Sequence, residues 1–332
     1  MKIGNSFMHS KRIFLSTTFL LLVLLLVLGQ IQAQDYGRYH AKNREIEGYL
    51  LEENWEKAFE GYRWLDENFE FIFPRDLRIA SQVAWEQKDT LGFQYFSQKA
   101  FQTGWKWKHV KKQLDDHPEF KDDFGNALRK ISKSNPIAEV KFPEVRKQVK
   151  KLFAQDQWQA LGALFTFSSE KQDRYAERKF APKAIERTAS IKKIISEVGF
   201  PGEQLIGNRT WAATILSHYN SISEEFVKKD TTYQGIRDQL WEELEKGTIS
   251  PIEFALIENW YQSVSSARTV ASFAILEEEV SQENLSSVNG ARQNIGLPRV
   301  ENYNKLLDLQ KRKGMNFFLG TYFGKANPIA IR

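Results

Sequence analysis

The strongest constraint on the fold is a residue pattern that occurs twice. Trp55, Ala58, Tyr62 and Asp66 can be laid over Asp89, Gly92, Phe96 and Ala100 at a constant offset of 34 residues. In each copy a small residue, Ala58 or Gly92, is followed one helical turn later by an aromatic ring, Tyr62 or Phe96. The small position lets another helix approach, and the ring fills the space beside it. Around these positions, residues 45–53 and 55–67 read as a helical hairpin broken near Asn54. Residues 75–87 and 90–103 repeat it, with Pro74 at a helix start and Gly104 at a stop. A hairpin of this kind cannot bury its apolar face alone, so the pattern commits the first third of the chain to stacked helices.

A 34-residue helix-turn-helix period resembles the tetratricopeptide repeat. The resemblance implies stacked hairpins with a concave surface that takes a peptide or protein partner. Residues 105–133 read as the closing element of such a module, with apolar spacing at Val110, Leu114, Phe120, Phe124, Leu128 and Ile131. Within it, Trp105, Lys106, Trp107 and Lys108, followed by Lys111 and Lys112, interleave aromatics with positive charge. Such a patch suits a nucleic acid or an anionic glycan. The plainer expectation is that the indoles pack on the preceding hairpin while the lysines stay solvated.

The chain is 332 residues long and has 47 basic against 42 acidic residues, 42% hydrophobic residues and no cysteine. That length suggests two domains. The composition excludes wholesale disorder and a many-pass membrane protein. Without cysteine there is no disulfide scaffold, thiolate metal site or thiol nucleophile. Residues 1–33 have the pattern of a secretory signal: Lys2, Lys11 and Arg12 without an acid, an apolar run over 13–29, and Ile31-Gln32-Ala33 ahead of a cleavage point. An uncleaved anchor is the competing reading, and the leader would then be the sole membrane connection. Removing it leaves 44 basic and 42 acidic residues, a charge of +2, which argues against a nucleic-acid partner. A secreted or periplasmic location follows from the leader.

The two prolines Pro136 and Pro143 mark residues 134–143 as a linker between a first domain, 34–133, and a second, 144–332. The basic run from Lys141 to Lys151 is expected to be a solvated helix face. Helical spacing recurs beyond it, with Gly199 as a stop before Pro201. Ser250-Pro251-Ile252-Glu253 is a capped helix start, and the helix after it is apolar around most of its circumference. No alternating strand pattern appears, so the expected fold is all-α: a helical-hairpin repeat domain followed by a second helical domain.

Over residues 149–303 the chain resembles a bacterial domain family of unknown function. The resemblance rests on Asp156-Gln157, Gly199-Phe200-Pro201, Ala212-Ala213, His218, Arg292, Gly296-Leu297-Pro298 and Tyr303. Ser217-His218 stands where the family has Gln-His, and Glu258-Asn259 where it has Asp-Arg. A Tyr-Gly-Thr-Gln motif of the family has no counterpart in residues 267–276. The resemblance implies that Asp156, His218 and Glu258 converge.

His218 shares a helical stripe with Trp211, Ile215 and Ile222, which points it inward or to a seam. Glu258, among Phe254, Ala255 and Tyr261, is equally removed from solvent, and a buried carboxylate needs a cationic or hydrogen-bonding partner. Together the three could act as a general acid or base, or form a structural network that fixes helix register. No cofactor motif occurs, and no two histidines sit at metal-ligand spacing. The expected function is therefore non-enzymatic binding of a peptide or protein partner. A hydrolase-like or transferase-like site around His218 is the alternative, and an anionic envelope polymer held by Lys106 to Lys112 or Lys141 to Lys151 is a third reading.

Overall fold

The computed structural model describes residues 35–108, 110–111, 123–164, 174–266, 273–276, 279–314 and 327–332. The expected leader, Lys112, Leu114 and Phe120 lie outside the described residues. The fold is all-α. In chain order the helices are α1 (Tyr36–Leu51), α2 (Trp55–Asn68), α3 (Pro74–Glu86), α4 (Thr90–Gln102), α5 (Asp123–Ser134), α6 (Pro143–Leu164), α7 (Ala181–Val198), α8 (Glu203–Ile206), α9 (Trp211–Asn220), α10 (Glu224–Lys229), α11 (Gln234–Glu245), α12 (Pro251–Ser265), α13 (Gln282–Asn294) and α14 (Val300–Lys313). A single parallel pairing, Glu279 and Val280 with Ala330 and Ile331, is the extended structure among the described residues. No described helix is long and apolar enough to cross a membrane.

Local chemistry places the helix starts of the first half. Asp35, Asn54 and Asp89 each accept a backbone N–H from the first turn of the helix that follows, and Pro74 opens α3. The hairpins α1–α2 and α3–α4 pack on one another. Phe59 of α2 meets Phe96 of α4 edge to face at 5.6 Å. Gly92 makes that approach possible, because a Cβ there would lie 2.4 Å from the Phe59 ring.

The expected start of the first helix at residue 45 is too late, since α1 begins at Tyr36. Its buried face is partly polar, which masks the helical period. Asn43 donates to Asp76 Oδ1 at 3.2 Å, Tyr39 donates to Asp76 Oδ2 at 2.6 Å, and Glu47 pairs with Arg75 at 2.6 Å. All three partnerships run from α1 to the first turn of α3, although Asn43 Oδ1 and the second Glu47 oxygen stay buried without a hydrogen-bond partner.

Two apolar cores result. One is built from residues of the two hairpins and α5, and the other from residues between Val149 and Phe273 together with Ile295 and Leu297. The first core also takes Ala274, Val280, Leu285, Val288 and much of α14, so the C-terminal segment crosses back to the hairpins. The sequence boundary at residues 134–143 separates the cores but not this returning segment, and residues 35–332 form one unit. The stretch between α5 and α6 is tied to both sides: Ala138 N donates to Gln102 O at 2.8 Å, and Phe142 N donates to Leu205 O at 3.0 Å.

Two turns of the second half meet α1 so closely that only glycine fits. A Cβ on Gly296 would stand 2.5 Å from His40 Cβ, and one on Gly247 would stand 2.4 Å from the Tyr36 ring. Both also have φ in the left-handed region, 89° and 74°. The Gly296-Leu297-Pro298 turn is held by Arg292, whose buried guanidinium donates Nε to Pro298 O at 2.6 Å and another nitrogen to Phe273 O at 2.7 Å. Burial pushes that guanidinium down to about 10. The resemblance residues Arg292, Gly296 and Pro298 thus have a structural task.

Candidate functional site

His218 lies on α9, which packs against α6, α7 and α12. Asn208 Oδ1 starts this helix by accepting the N–H groups of Thr210 and Trp211, both at 2.9 Å. Asp156 comes from α6 and Arg187 from α7. Asp156 Oδ2 is 2.6 Å from His218 Nδ1, and its Oδ1 is 3.2 Å from an Arg187 terminal nitrogen. Arg187 also donates to Gln159 Oε1 at 2.5 Å.

Burial within this cluster is uneven. The side chain of Asp156 is 1% exposed and that of Arg187 4%, whereas His218 keeps 27% of its surface. With Nδ1 donating to Asp156, a neutral imidazole presents Nε2 as its acceptor. A π-helical turn over Ala176–Phe180, joined directly to α7, sets Phe180 edge-on to the imidazole at 6.3 Å and 5.1 Å below the Arg187 guanidinium. Desolvation lowers the Arg187 pKa, and the charge of Asp156 opposes that shift.

Glu258 does not join the pair. It is buried on α12, as expected, but its carboxylate is taken by Tyr233 at 2.7 Å and by Arg237, whose Nε lies 2.9 and 3.0 Å from its two oxygens and whose terminal nitrogen is at 2.7 Å. None of its ion pairs goes to His218. The expected cluster of three is therefore a His–Asp pair on one network and Glu258 on another. Arg187 and Gln159, which complete the first network, are absent from the sequence expectation. Their signal was present: Arg187 falls on the stripe Ala184, Thr188, Ile191 and Ile195, and a charge on a buried stripe requires a buried counter-charge.

A third polar group sits between the hairpins and the second core. Arg78 of α3 interacts electrostatically with Glu203 of α8 and with Arg209. Glu203 in turn raises the pKa of Glu253 on α12, which burial, the larger cause, pushes up to about 8. Glu253 Oε2 accepts from Ser250 N at 3.0 Å and Ser250 Oγ at 2.6 Å, completing the expected capping box. Its other oxygen is buried without a partner.

No group of three or more metal-ligating side chains occurs among the described residues. One cavity lies in the hairpin region. A groove of about 730 Å³ runs between the α3–α4 turn, α4 and α5. Trp85, Phe93, Ala127 and Ile131 supply its apolar surface, while Glu86, Lys88, Asp89 and Lys130 line it with charge of both signs. Trp105 does not fill it. That indole stacks on Phe101 at 4.9 Å on the other side of α5, and Lys106, Lys108 and Lys111 are exposed, matching the plainer expectation for this patch. In the other basic run, Lys141, Lys147, Lys150 and Lys151 are exposed too.

Compared with known protein families, curated proteins and solved structures, the chain matches none.

Proposed function

We propose that this is a secreted or periplasmic, non-enzymatic binding protein whose tetratricopeptide-like hairpins present the groove beside α5 to a peptide or protein partner. The groove of about 730 Å³ carries the reading. It falls within the roughly 300–1,000 Å³ of ordinary ligand sites and combines an apolar floor with fixed polar groups. Lining charge of both signs favours a partner that also carries both, rather than a uniformly charged polymer.

A randomised peptide library selected against the chain should enrich sequences with apolar anchors flanked by mixed charges. Ala127→Trp plugs the groove from a partly exposed position, and it should weaken the enriched peptides by at least about tenfold while the melting temperature stays within a few degrees. Enrichment no better than background, or binding indifferent to the plug, contradicts the reading.

The 2.6 Å contact between His218 and Asp156 favours a second reading, a general-base site at His218 Nε2. Activated aryl esters provide the measurement. On this reading His218→Gln lowers the hydrolysis rate about a hundredfold or more; equal rates for the two proteins dismiss it.

A further inference from the structure

We propose that the pocket on the opposite side of α5 from the groove binds an acidic sugar unit of an anionic polysaccharide. It has a volume of about 440 Å³, and its lining includes Trp105, Trp107, Lys106, Arg129, Lys133 and Asn135. Among the described residues no carboxylate lines it, and none of the three cations lies within ion-pair distance of one. Lys133 lies in the last turn of α5, where the helix dipole favours a cation. Arg129 O accepts Ser132 Oγ at 2.9 Å, and Ile131 O accepts Asn135 Nδ2 at 2.9 Å. The pocket therefore gathers three cations within a concave aromatic wall.

A second observation is independent of charge. Trp105 is 3% exposed, and its indole N–H is buried with no acceptor. Buried donors are rarely left this way, and one in a pocket wall points to a missing acceptor. Trp107 beside it is only half-buried and offers ring surface. One N–H of the Asn135 amide goes to Ile131 O, and its carbonyl oxygen can accept from a hydroxyl donor.

A uronate ring uses all of these features together. Its carboxylate meets the cations, its hydroxyls supply both an acceptor for Trp105 and a donor for Asn135, and its apolar face lies on an indole. An acidic peptide uses the cations alone. A nucleic acid needs cations set in a row along its phosphates rather than gathered round one pocket.

The test is a fluorescence and calorimetric titration of the whole chain with trigalacturonate. Binding should saturate, weaken with salt and be absent with neutral maltotriose. Arg129→Glu with Lys133→Glu should weaken it at least about tenfold. Trp105→Phe, which keeps the stack on Phe101 and removes the N–H, should weaken it about fivefold. Trp107→Ala, at a half-buried position, provides a check should Trp105→Phe fail to fold, and it too should weaken binding. Equal binding of maltotriose, no binding of trigalacturonate, tighter binding of a single-stranded oligonucleotide or an acidic peptide, or affinity unchanged in these variants overturns the proposal.

Discussion

Asp156→Asn is expected to destabilise the protein by about 3–5 kcal/mol, the cost of removing one partner from a buried ion pair and leaving the other charge uncompensated. The magnitude follows from burial on both sides, since Asp156 and Arg187 are 1% and 4% exposed. His218→Gln should cost less than about 1 kcal/mol by comparison, because His218 is 27% exposed and water can replace its bond. The effect on the fold should thus be carried by Arg187 rather than by the imidazole. Adding Arg187→Leu to Asp156→Asn should recover part of the loss, since the stranded charge disappears. Urea denaturation of the four proteins decides the matter: a loss below 1 kcal/mol for Asp156→Asn would mean that solvent reaches the pair.

Glu253→Gln is expected to stabilise the protein increasingly as pH rises. Burial first, and the charge of Glu203 second, raise the Glu253 pKa from its ordinary 4.5 to about 8. Between those values the folded chain keeps a proton that the unfolded chain has released, so ionisation works against folding and stability falls as pH rises through the window. Glutamine cannot ionise and retains the reach needed for the capping box with Ser250. The two proteins should therefore be about equally stable near pH 4.5 and diverge toward pH 8 by on the order of 3–5 kcal/mol in favour of the variant. Parallel stability curves across that range would rule out the shared carboxylate environment of Glu203 and Glu253.

The hairpins were legible because their signals are local. Asn54, Pro74, Asp89 and Gly104 act within one turn of their own positions. The capping box at Ser250 and the stop at Gly199 belong to the same class. The early start of α1 was hidden because His40, Asn43 and Glu47 sit on its buried face, satisfied by or packed against residues far along the chain. The return of α13 and α14 to the first core is likewise a long-range event, fixed by Gly296 against His40 and by the bonds of Arg292.

At the site, the helical stripe of His218 pointed it inward or to a seam, and it was the resemblance that implied its meeting with Asp156, which the 2.6 Å contact shows. Glu258 was assigned to the same cluster by that resemblance, and its burial required a partner without saying which. Helical periodicity says which face is buried but not which neighbour lies across it, and Arg237 and Tyr233 lie across from Glu258. The groove had no sequence signal, since it depends on where α5 settles against α3 and α4.

The central claim is that the groove beside α5 is where this protein meets its partner. Side-chain NMR of the wild-type chain, titrated with a peptide selected as above, tests it most directly. The account predicts that the Trp85 indole and Ile131 methyl resonances shift to saturation while the His218 ring protons stay in place. Shifts centred on His218 with Trp85 and Ile131 unmoved would contradict it.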